Sequence, residues 1–293
     1  MATLRDKTLH TARALASLLG ATALAGCLHT VTHSTTTAAP NSPVKTAAAQ
    51  ALAQWEHTLD GPSGKRAFDQ QATGLDVSLT HGSVQIKPAT ATVSPQVEWS
   101  VKRADGAGAA ALDTLKLYFG QDASGKVNVR DEYSGEAKAA RPQVEVVLTV
   151  PAGTPINASV IDGALTIDTS GKLDASLDKG TLSLQGGPSD SNVKVGEGDI
   201  EASVLVKSGH YDWTVDHGKV ELMLLKGSDT EYEVSTTRGK LELGGLPSQV
   251  ERDVQGQRAT GQLGQAAAVV TLHVARGDIF LNGVPDTGSP AGE

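Results

Sequence analysis

Apolar and polar residues alternate with a period of two from Leu75 onward. Val77 and Leu79, Val84 and Ile86, and then Val97, Trp99 and Val101 are each separated by one polar residue. This is the pattern of strands with one buried face and one wet face. The stretch 105–115, "DGAGAAALDTL", breaks the alternation and predicts a brief helix, after which "LKLYF", "KVNVRDEY" and "QVEVVLTVPAG" resume it.

A slower repeat overlies this alternation. "HGSVQI", "DGALTI", "KGTLSL", "EGDIEA", "SGHYDW", "HGKVEL", "RGKLEL" and "RGDIFL" each set a polar residue, then a glycine, then alternating residues. The glycines are Gly82, Gly163, Gly180, Gly198, Gly209, Gly218, Gly239 and Gly277. From Gly163 to Gly239, leaving out Gly209, the spacings are 17, 18, 20 and 21 residues. Gly277 follows 38 later, either two periods or one period with an insertion, and Gly82 precedes Gly163 by 81, room for about four. A period near twenty predicts stacked coils, each unable to bury its apolar face without neighbours. The predicted fold is therefore all-β: a β-solenoid of single-stranded β-helix type with coils of about 20 residues over 68–283, and short helical segments near the N-terminus.

Within a coil, the alternation turns Leu165 and Ile167, Leu182 and Leu184, Ile200 and Ala202, Val220 and Leu222, and Tyr232, Val234, Leu241 and Leu243 inward. The glycine marks a corner, where the backbone takes positive φ or passes close to the next coil. The residues before the glycines, His81, Asp162, Lys179, Glu197, Ser208, His217, Arg238 and Arg276, are all polar, as an exposed corner requires. A stack of strands leaves open edges at both ends, which invite pairing with other chains. The less regular strands before 130 and the segment 246–265 are the candidates to cover them.

The N-terminal part has no such pattern. Arg5, Lys7 and Arg13 precede an apolar run, Ala14–Ala25, that has the length of a signal-peptide core. The run ends in Leu24-Ala25-Gly26-Cys27, which resembles the lipobox of bacterial lipoproteins. The resemblance implies cleavage after residue 26 and a diacylglycerol on the thiol of Cys27, the only cysteine, so that the chain partners a membrane through lipid. Leu28, where such proteins carry aspartate for inner-membrane retention, implies the outer membrane of a Gram-negative cell. Residues 27–45, rich in Thr, Ser, Ala and Pro, read as a flexible tether. Residues 46–61 read as a short helix with Leu52, Trp55 and Leu59 on one face, and 284–293 as a disordered tail.

Composition narrows the function. Aromatics make up only 3% of the 293 residues, which suits a thin aliphatic core. The formal charge of −8 becomes −10 without residues 1–26, which hold three basic residues and one acidic; this excludes a nucleic-acid partner. A single cysteine excludes an internal disulfide.

"VVLTVPAGTPINASVIDGALTI", "VSTTRGKLELGGLP" and "VVTLHVARGDIFLNG" together resemble the bacterial putative-adhesin family of β-strand repeat domains, from about Leu75 to Gly283. The resemblance implies a β-helical fold at the cell envelope, in some relatives linked to envelope-stress responses, and brings no catalytic residues.

Candidate chemistry is sparse. His210 and Asp212, two apart on one predicted strand, are weak candidates for a metal, lacking an identified third ligand. Glu197, Asp199 and Glu201, with Glu231 and Glu233, form a possible acidic strip. The "RGD" at 276–278 reads as corner residues around a repeat glycine. No nucleophile elbow, phosphate loop or dinucleotide fingerprint occurs, so no cofactor is expected. The sequence thus predicts a non-enzymatic, lipid-anchored envelope protein, adhesive, scaffolding or stress-sensing, with an unidentified envelope protein or glycan as partner. A β-helix enzyme acting on an envelope polysaccharide, and a subunit polymerising through its coil ends, are the alternatives.

Overall fold

The computed structural model describes residues 56–57, 63–89, 94–102, 110–246, 248–253 and 256–284, all within one compact unit, 43–293. The leader, the tether and the tail from 285 lie outside the described residues, as does the predicted helix at 46–61 except for Glu56–His57, which form a two-residue strand, β1. Among the described residues eighteen strands join in one hydrogen-bonded network.

The central coils are long strands folded at a glycine: β8 (Ile156–Thr169), β9 (Leu173–Gly186) and β10 (Ser191–Val204). They stack in parallel and in register, so that Leu165, Leu182 and Ile200 form one inward row and Ile167, Leu184 and Ala202 the next. All six are buried, as the alternation requires. Each coil thus has a first arm before the corner and a second arm after it, with the aliphatic core between them. Leu165 and Val220 are fully buried and Leu241 is 6% exposed, while Leu243 is half-buried against the core. Burying such a side chain is worth about 1.5–3 kcal/mol, so two per arm hold a coil only when neighbours close both its sides.

The coils do not stack in chain order. β3 (Gly74–Ala89) pairs on one side with β8. On the other it pairs with a later coil made of β6 (Lys126–Tyr133) and β7 (Gln143–Pro151). At the opposite end the last coil, β17 (Ala268–Arg276) with β18 (Ile279–Gly283), lies between two earlier ones. Its neighbours are β11 (Gly209–His217) with β12 (Val220–Leu224), and β13 (Thr230–Arg238) with β14 (Leu241–Gly244). The first and last coils of the chain are therefore both interior. Between Gly82 and Gly163 there is one coil, not the several that the spacing allows, and Gly239–Gly277 is one period carrying an inserted hairpin.

Antiparallel strands close the exposed edges. β5 (Leu115–Gln121) covers β6 and is followed by β1. β4 (Gln96–Lys102) covers β7 and is followed by β2 (Ser63–Ala67). The hairpin β15 (Ser248–Asp253) and β16 (Gly256–Leu263) covers β13, whereas β14 pairs only with β18 among the described residues. The interruption at 105–115 ends in a helical turn, α1 (Ala110–Asp113). A second helix, α2 (Gly135–Ala140), not foreseen in the sequence, replaces the glycine corner in the β6–β7 coil. There the Tyr133 hydroxyl donates to the carbonyl of Pro142, at 2.7 Å, with that of His81 3.1 Å away.

Candidate functional site

The corner is built from backbone. A Cβ added to Gly163 would sit 1.6 Å from the Gly82 carbonyl oxygen, and one added to Gly277 would sit 1.6 Å from that of Gly218. Gly180, Gly198, Gly218 and Gly239 meet the preceding glycine of the stack in the same way, and Gly82 meets Val144. These seven have φ between 131° and 159°. The result is one continuous spine on which no side chain fits. Gly209 stands apart from it: it opens β11 with φ 89° and abuts the Ser189 carbonyl, so it serves the entry to a coil and not the corner.

Beside the spine runs a column of side chains whose order follows the stack: His81, Asp162, Lys179, Glu197, His217, Arg276, Arg238. Asp162, Lys179 and Glu197 alternate in sign. His81 Nδ1 faces Asp162 at 3.3 Å, and Lys179 meets Glu197 at 2.9 Å. Their hydrogen bond and charge raise the pKa of Lys179 and lower that of Glu197. The last three residues are imidazole, guanidinium and guanidinium.

The outer face of the first arms carries a second ladder: Asn128, Asp76, Asn157, Asp174, Asn192, Asp212. Amide and carboxylate alternate strictly, so no two of these carboxylates occupy neighbouring rungs. Asn192 Nδ2 donates to Asp174 Oδ1 at 3.3 Å, and Lys126 Nζ pairs with Asp76 at 2.8 Å. The outer face of the second arms holds a shallow hollow of about 390 Å3 between Glu201, Glu221, Met223 and Phe280. Lys219 pairs with Glu221 there, its ammonium 5.3 Å from the centre of the Phe280 ring.

Cys27 and the lipobox residues Leu24, Ala25 and Gly26 lie outside the described residues. His210 and Asp212 are exposed on β11. The Asp190 carboxylate next to them accepts the His210 backbone N–H at 2.9 Å, and Thr271 and Val269 flank the pair on the other side. Among the described residues no group of three or more His, Cys, Asp or Glu side chains is placed to hold a metal ion. Of the five carboxylates read as an acidic strip, three have separate partners: Glu197 with Lys179, Glu233 with Arg258, and Asp199 with the Lys219 backbone N–H. In the "RGD" segment Asp278 is a structural residue, its Oδ1 accepting the Lys240 backbone N–H at 2.8 Å.

The inward half of the "GHYDWTVDHG" rung is core. Tyr211 and Trp213 are 2% and 1% exposed, and the Trp213 indole donates to Ser191 Oγ at 2.7 Å. The Tyr211 hydroxyl donates to the Pro188 carbonyl, and burial pushes its pKa up to about 12.

Coils of two arms folded at a glycine spine define a β-solenoid. The family model described as Toastrack DUF4097 matches residues 69–282, and the chain belongs to that family. Among solved structures, a putative cell adhesion protein from Clostridium sporogenes is similar at 11% identity and a TM-score of 0.43, over 76% of this chain and 100% of its own. A putative adhesin from Bacteroides fragilis is similar at 12% identity and a TM-score of 0.30, over 76% of this chain and 97% of its own. A putative lipid binding protein from Parabacteroides distasonis is similar at 8% identity and a TM-score of 0.24, over 77% and 98%. The comparison with curated proteins gave no match. Among the described residues no helix is long and apolar enough to cross a membrane.

Proposed function

We propose that this chain is a non-enzymatic protein of the bacterial cell envelope, held to the outer membrane by lipid on Cys27, that presents the outer faces of its coils to an envelope protein or glycan. The observation that carries this reading is the Asn–Asp ladder on the first arms. Six rungs from strands far apart in the chain share one flat polar face, and rungs about 4.8 Å apart make it a regular array of donors and acceptors. A face of that kind suits an extended, repetitive, hydroxyl-rich partner, held by many weak contacts. The lipobox at Leu24–Cys27 supports the anchor.

Two measurements test it. Cys27→Ser should move the protein from the membrane fraction to the soluble fraction and abolish incorporation of labelled fatty acid; retention of either would overturn the anchor. Asp174→Lys with Asp212→Lys should abolish capture of the full chain on isolated cell-wall and outer-membrane glycan. If both proteins bind equally, the ladder is not the presented face.

A further inference from the structure

The corner column breaks its own rule at one end. From Asp162 to Glu197 opposite charges alternate and Lys179 pairs with Glu197, an arrangement that stabilises a stack of like-oriented side chains. His217, Arg276 and Arg238 then follow on consecutive rungs with no anion between them. The two guanidiniums lie one rung apart, about 4.8 Å between strands, where like charges destabilise a sheet. Lys240, one residue past the spine in the outermost coil, adds an ammonium on the same corner.

The carboxylates nearby keep their charge but bond other groups and form no ion pair with this cluster. Asp278 is held by the Lys240 backbone N–H, Asp199 by that of Lys219, and Glu221 by the Lys219 side chain. Among the described residues no carboxylate lies within ion-pair distance of Arg276, Arg238 or Lys240. All three are exposed. Such a cluster is not a by-product of composition, because the chain as a whole carries a charge of −8. The backbone beneath it is locked by the glycine spine, so the side chains are presented from a fixed base and only they have to be ordered on binding. Arg238 belongs to the outermost coil, where β16 covers the first arm up to Thr236 and Gln257 Oε1 accepts the Leu241 backbone N–H at 3.1 Å, while Arg238 itself stays exposed.

We propose that His217, Arg276, Arg238 and Lys240 form a binding site for a phosphate-bearing ligand. One guanidinium fork satisfies a carboxylate; two forks a rung apart, with an imidazole and an ammonium beside them, match the larger oxygen set and higher charge of a phosphate or of two linked phosphates. The site is independent of the Asn–Asp ladder and of the lipid anchor.

The test uses the full chain carrying Cys27→Ala, so that no lipid tethers it, with sodium pyrophosphate in isothermal titration. Co-sedimentation with vesicles of phosphatidylcholine alone, or mixed with phosphatidylglycerol, forms the second arm. Pyrophosphate should bind, and Arg238→Gln and Arg276→Gln should each weaken it by about tenfold. Lys87→Gln, an exposed lysine on another coil, should leave it unchanged. Arginine-dependent sedimentation with the phosphatidylglycerol vesicles only, relieved by pyrophosphate, identifies a lipid headgroup as the source. Pyrophosphate binding without sedimentation identifies a soluble phosphate. Absence of binding in both arms overturns the proposal, and so does binding that the two arginine substitutions leave intact or that Lys87→Gln weakens as much as they do.

Discussion

Gly277 lies against Gly218, whose carbonyl oxygen would be 1.6 Å from a Cβ at position 277, although Gly239 is closer to it in the chain. Gly239 in turn lies against Gly277, at 1.9 Å by the same measure. The last coil has thus been inserted between two coils made earlier. Gly277→Ala would push backbone against backbone on a φ of 140°, so it should cost more than about 3 kcal/mol in denaturant unfolding. Gly153→Ala is the control. Its φ is 81° but nothing lies within 4 Å of the added carbon, so only strain of about 1 kcal/mol is expected. Equal losses at the two positions would show that the spine does not depend on close approach.

How much of this was legible in the sequence divides along one physical line. The direction of each side chain is local: a period of two turned Leu165, Val220 and Tyr232 inward, and the beat of glycines marked the corners. Which coil lies on which is non-local, and because all coils present nearly the same inner rows, any of them fits on any other by pattern alone. The alternation of Asn128, Asp76, Asn157 and Asp174 follows the stack and vanishes when the residues are taken in chain order, as Asp76, Asn128, Asn157, Asp174. Helix α2 escaped notice because its six residues, "GEAKAA", carry no apolar stripe; Ala137, fully buried, is fixed by a tertiary bond in which its backbone N–H donates to Thr114 Oγ1. The corner cations were visible singly, as the residues before the glycines, and became a group only once Arg276 was placed between His217 and Arg238.

Trp213 ties two coils through its indole N–H, which donates to the hydroxyl of Ser191, itself 3% exposed. Trp213→Phe keeps most of the apolar volume but leaves that hydroxyl without its donor, at a cost of about 1–3 kcal/mol. Adding Ser191→Ala removes the stranded group, so the double variant should be less destabilised than the sum of the single ones. Strict additivity in chemical denaturation would mean that the bond contributes nothing.

Asp131 introduces a pH dependence. It is half-buried, and its carboxylate accepts the backbone N–H and the hydroxyl of Thr80 at 2.9 Å. Burial outweighs these bonds and raises its pKa above the ordinary carboxylate value. The folded protein therefore holds this proton to higher pH than the unfolded chain does. The associated stability is fully present below the unfolded value and is lost as pH rises through the folded one. Between wild type and Asp131→Asn, the difference in unfolding free energy should thus shift against the wild type as pH is raised from the ordinary carboxylate range through the raised value. A difference that is flat with pH, or that moves the other way, would contradict the assignment.

The hairpin β15–β16 protects β13. Residues Thr230–Thr236 pair antiparallel with Gln257–Leu263, which satisfies the outer backbone groups of the outermost first arm. Replacing 248–263 by a short Gly-Ser linker would bare an edge of seven residues carrying Tyr232 and Val234, both fully buried in the intact protein. Exposed edges of that length template pairing with other chains. The shortened protein should therefore associate in a concentration-dependent way in size-exclusion chromatography, while the intact full chain carrying Cys27→Ala elutes without such dependence. If the shortened chain instead stays folded and elutes as one species at every concentration, the hairpin is not what keeps the end of the stack from growing.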